Sequence, residues 1–171
     1  MIDSSHSLYK LIVLYMMKKT DFPLTNSQIS DLFLSENYTN YFHLQESLAE
    51  MIDSGLITLD KKNETVYYSI TGKGSDTIRY FESEISPEIR QEISRYLVKH
   101  SYQMRSESST TADYARNSDG DYTVNCSVRE GGHTLIGLKV TVPTERSAKT
   151  LADNWKTKAQ DCYAAVMKIL M

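Results

Sequence analysis

The chain has 171 residues, 40% hydrophobic and 24% charged, with a net charge of −3. That is the make-up of a soluble globular protein of one large or two small domains, and it excludes a disordered chain. No apolar run is long enough to cross a bilayer, and the opening Met-Ile-Asp-Ser-Ser-His is not a secretory signal, so no membrane association is expected. Cys126 and Cys162 are too few for a disulfide framework or a zinc knuckle, which points to a cytoplasmic protein with reduced thiols.

Leu8, Leu11, Ile12, Tyr15 and Met16 recur at the spacing of one helical face, and Thr20-Asp-Phe-Pro23 ends that helix. A second helix opens at Leu24, with Thr25 or Asn26 as its cap and Ile29, Leu32 and Phe33 inward. After a break at Ser35-Glu-Asn37, a third helix is expected from about Thr39 to Asp53. It would bury Tyr41, Leu44, Leu48, Met51 and Ile52, and Gly55 would close it. Leu56 to Leu59 and Val66 to Ile70 then read as a hairpin around an Asp60–Thr65 turn, followed by a helix capped by Thr71. Helix, helix, helix, hairpin, helix is the order of a winged helix-turn-helix, expected over residues 1–82.

In that fold the third helix enters the DNA major groove and the wing meets the phosphate backbone, so double-stranded DNA is the expected partner. Projected at 100° per residue, the outer face of the helix holds Thr39, His43, Glu46 and Glu50, flanked by Phe42 and Ser47. Tyr38, Asn40 and Gln45 lie near its leading end. Lys61 and Lys62 at the wing, with Lys73 behind it, are the cations expected on phosphates. The charge balance opposes this reading. Residues 1–80 carry seven basic against ten acidic side chains, whereas residues 81–171 carry twelve of each. The alternative is a winged-helix protein-interaction module without DNA binding.

Tyr68-Ser-Ile-Thr-Gly-Lys-Gly74 resembles the Tyr-x-Leu/Ile-Thr-x-x-Gly junction between wing and helix in several bacterial winged-helix regulators. Over most of the chain, Tyr38-Thr-Asn-Tyr-Phe42, Thr71-x-x-Gly74, Ala112-Asp-Tyr114 and Asn154-Trp155 resemble domain-of-unknown-function family 4364 of clostridia and related Firmicutes. The resemblance implies a winged-helix domain and a presumed role in transcription, with no functional residues to carry over.

Residues 83–171 read as an α+β module for dimerisation or sensing. A helix starts at Pro87 and loses its pattern in the polar stretch Ser106–Thr111. Three antiparallel strands follow, from Ala112, Tyr122 and about Ile136, with turns at Asn117–Gly120 and Gly131-Gly132. Ala148, Leu151, Ala152, Trp155, Ala159, Cys162, Tyr163, Val166, Ile169 and Leu170 form one stripe of a last helix about 39 Å long. That exceeds what three strands require, and a homodimer is one use for the surplus; packing on the Pro87 helix is the other. His6, His43, His100 and His133 lack neighbours at metal-ligand spacing, and both cysteines fall at inward positions. No metal, cofactor or catalytic residue is expected, no enzymatic activity follows, and any small-molecule effector is undefined.

Overall fold

Seven consecutive residues, Leu11 to Met17, are buried, so the first helix, α1 (Ser4–Lys19), is enclosed on every side instead of presenting one apolar stripe. This computed structural model describes residues 4–62, 65–131 and 133–171. The chain forms two compact units, Met1–Met104 and Arg105–Met171.

In the first unit, β1 (Leu24–Thr25) precedes α2 (Asn26–Ser35) and α3 (Tyr41–Asp53). These lead into β2 (Ile57–Lys62), β3 (Thr65–Ile70) and α4 (Gly72–Phe81). The sheet order is β1-β3-β2, all antiparallel. Strand β1 replaces the first helical residues expected at Leu24. Its Leu24 is fully buried and pairs with Tyr68, while Thr25, opposite Tyr67, also caps α2 in a reciprocal box with Gln28. Pairing also extends further along the hairpin than expected. Lys62 faces Thr65 in the ladder, and the remainder of the expected turn, Asn63 and Glu64, lies outside the described residues.

Each helix of the helix-turn-helix is followed by a left-handed residue. Asn37, at φ 58°, follows α2, where Tyr38 N–H donates to the Phe33 carbonyl at 2.9 Å. Gly55, at φ 71°, follows α3, with Leu56 N–H on the Met51 carbonyl at 2.9 Å. The two closures fix where α3 begins and where the chain leaves it for the wing. Tyr41, expected inside, is 49% exposed because α3 starts at this residue and its side chain points out ahead of the buried stripe Leu44, Leu48 and Met51.

Helix α5 (Pro87–Ser109) continues through most of the stretch read as a polar link and runs directly into β4 (Thr110–Arg116). Its Ile89, Ile93, Tyr96, Leu97 and Met104 join the core around α1. The two compact units divide at 104/105. In the second unit β5 (Tyr122–Glu130) lies between β4 and β6 (His133–Val142), with Val124 opposite both Tyr114 and Val140. One face of this meander is apolar. Helix α6 (Glu145–Leu170) covers it with Ala148, Ala152, Trp155 and Ala159. The fold is α+β: a winged helix-turn-helix, then a three-stranded antiparallel sheet with a long terminal helix. No described helix is long and apolar enough to cross a membrane.

Candidate nucleic-acid interface

Helix α3 is seated by its apolar stripe and oriented by a polar cluster that links it to α2 and β3. Asn26 Nδ2 donates to Gln45 Oε1 at 2.8 Å and to Tyr68 Oη at 3.1 Å. Gln45 Nε2 returns a bond to Asn26 Oδ1 at 3.2 Å, and Ser30 Oγ donates to the same oxygen at 3.1 Å. Gln45, expected to meet bases, is therefore held inside the domain. Asn26 and Tyr68 are structural members of this cluster with no local sequence signal, since they meet Gln45 or each other across 19 and 42 residues of chain.

The other expected contact residues divide in two. Tyr38 leans edge-on against Phe33 and donates its hydroxyl to Glu92 Oε2 at 2.7 Å. Burial, then Glu92, raises its pKa far above the usual phenol range, so the proton stays on this bond. Ser47 is fully buried, which removes it from the outer face; its position coincides with the Leu44–Leu48–Met51 side of the helix. Lys73 Nζ donates to the Ser54 carbonyl at 2.7 Å and so closes the C-terminal end of α3. In contrast, Asn40, Phe42 and His43 are exposed and Thr39 is half-buried. Asn40 caps α3 by accepting from His43 N–H at 3.0 Å. Lys61 and Lys62 are exposed on β2, and Lys62 Nζ lies 3.6 Å from Asp60 Oδ2.

One acidic residue of α3, Glu50, is matched by a charge that sequence spacing does not reveal. Lys10 of α1 pairs with Glu50, and this hydrogen bond with its charge holds the Glu50 carboxyl below the usual carboxylate range. Glu46 Oε2 stands 3.7 Å from His43 Nδ1. His6 of α1 completes the group, its ring centroid 5.4 Å from that of His43 and 6.0 Å from that of Tyr9. Two histidines without metal-ligand spacing in the sequence are thus neighbours in space. Ligand atoms of His6, His43 and Glu46 lie within 4.8 Å of one another, and among the described residues this is the one cluster of metal-ligating type. It escapes a reading of the sequence because His6 and His43 are brought together by packing, not by spacing.

In the second unit, β6 and α6 leave a cavity of about 600 Å³ lined by Leu138, Val140, Val142, Leu151 and Trp155. Arg146, Ser147, Thr150, Asn154 and Lys158 share the lining, so the cavity mixes an apolar floor of side chains with two cations. Cys126 is buried beneath α6, and burial followed by the charge of Asp113 pushes its thiol up to about 11. That is the reverse of an activated nucleophile.

A family model described as "Domain of unknown function (DUF4364)" matches residues 9–170. No curated protein and no solved structure matches the chain.

Proposed function

The chain belongs to the DUF4364 family, and from its winged-helix unit we propose that it is a DNA-binding transcriptional regulator. In this reading α3 enters the major groove, the β2–β3 wing lies on the phosphate backbone, and two copies act as a dimer. The observation that carries it is the division of labour on α3. The Asn26–Gln45–Tyr68 cluster and the Lys10–Glu50 pair hold the helix, while Asn40, Phe42 and His43 at its leading end stay exposed, as do Lys61 and Lys62 on the wing. Glu50 on the outer face is offset by Lys10, which lessens the repulsion expected from an acidic domain.

The test is a gel-shift titration of the full chain against genomic fragments at several salt concentrations. Affinity should fall steeply as salt rises. Lys61→Glu with Lys62→Glu should weaken all sequences alike, reducing the salt slope by about one for each phosphate no longer neutralised. Binding at low salt no stronger than that of an acidic control protein would end this reading.

A second reading is favoured by one observation. Tyr41 and Phe42 are 49% and 82% exposed, with their rings edge to face at 6.4 Å, and aromatic residues of this kind anchor protein interfaces. If α3 instead docks a protein, Phe42→Ala should release a stoichiometric partner while any affinity for DNA stays unchanged.

A further inference from the structure

We propose that His6, His43 and Glu46 form a binding site for a divalent first-row transition metal of the zinc class, bridging the N-terminal turns of α1 and α3. His43 and Glu46 are one helical turn apart, so both side chains leave the same face of α3, and His6 approaches from a separate helix. Their ligand atoms lie within 4.8 Å of one another. Zinc–nitrogen and zinc–oxygen bonds of about 2.0–2.2 Å place tetrahedral donor atoms roughly 3.3–3.6 Å apart. The set therefore has to contract by about 1 Å, which side-chain rotation supplies without moving either helix backbone. Glu46 and His43 are exposed and His6 is half-buried, so a hydrated ion reaches all three.

The donor set selects the ion class. Two imidazoles and one carboxylate suit zinc, nickel, cobalt or iron(II), whereas magnesium and calcium call for oxygen ligands throughout. Three protein ligands leave at least one position for water, as in open zinc sites. The adjacent Lys10–Glu50 pair supplies no net charge of its own, so Glu46 is the anionic ligand and offsets one of the ion's two charges. The site stands whether or not α3 meets DNA, because it depends only on how α1 and α3 pack.

The full chain, stripped of metal, should take up one equivalent of zinc in a calorimetric titration. Its melting midpoint should then rise with free zinc as mass action requires. His6→Ala and His43→Ala should each weaken uptake at least about tenfold, with the metal-free circular dichroism spectrum unchanged. Glu46→Gln should weaken it as well. Independently of any variant, zinc should shift the imidazole NMR signals of His6 and His43 in the unaltered chain while those of His100 and His133 stay in place. No uptake at about 100 µM zinc, equal affinity in the His6→Ala/His43→Ala double variant, or shifts confined to other histidines would overturn the proposal. None of these readouts involves DNA, so loss of the groove reading and loss of the metal site are separate results.

Discussion

Gly74 shows why the wing-to-helix junction takes the form Thr-x-x-Gly. The first turn of α4 crosses the backbone at Leu56 so closely that a Cβ on Gly74 would sit 2.2 Å from the Leu56 carbonyl oxygen and 3.0 Å from Ile70 Cγ1. That oxygen cannot swing away, because it accepts from Thr71 N–H at 3.1 Å and lies 3.0 Å from Thr71 Oγ1. Thr71 also accepts from Gly74 N–H at 3.0 Å, so one residue caps α4 and clasps the chain end of α3. Gly74→Ala is therefore expected to cost about 2–3 kcal/mol in urea unfolding. Gly72→Ala, two residues earlier with nothing within 4 Å, should be neutral or mildly stabilising. Equal midpoints for the two variants would contradict the close-approach account.

At the level of elements, regular periodicity is readable and long-range placement is not. The element order, the alternation of Val124 and Cys126 in β5, the cap at Thr71 and the helix start at Pro87 all follow from local pattern. Strand β1 does not, since two residues carry no periodic signal and Leu24 is a strand only because Tyr68 lies beside it. The end of α5 is hidden for a related reason: serines from Ser106 onward are weak helix formers, yet the helix persists to Ser109 and passes straight into β4. The outer face of α3 is legible in part. Helical projection finds His43 and Phe42, but it places Ser47 outside and gives no hint that Gln45 turns back to Asn26. That difference can be measured. Gln45→Leu should lower stability by about 1–2 kcal/mol by stranding Asn26, and any loss of DNA affinity should be uniform across sequences. Unchanged stability with relaxed preference at one base pair would restore Gln45 as a reader.

On the scale of the molecule, charge and exposed apolar surface are unevenly shared. Residues 1–104 carry ten basic against fourteen acidic side chains, while residues 105–171 carry nine against eight. On the proposed DNA-binding function, phosphate contacts would have to be concentrated at few positions and doubled by dimerisation. The last turns of α6 offer a surface for that second copy, for beyond Cys162 the stripe Tyr163, Val166, Met167 and Leu170 continues with Leu170 76% exposed. Sedimentation equilibrium should give twice the 19.5 kDa chain mass, and Val166→Glu with Leu170→Glu should return it to one chain without loss of helix. A monomeric parent, or a dimer that survives both charges, would exclude this surface. The enclosed α1 carries a consequence for synthesis as well. Its cover includes Ile78, Ile85 and Ile93, residues made long after Met17. At roughly 5–20 residues per second, translation leaves a gap of about 4–15 s between Met17 and Ile93. Throughout that interval the nascent chain carries Leu11 to Met17 without the later part of their native cover, so this segment is exposed to non-native apolar contacts until α5 is made.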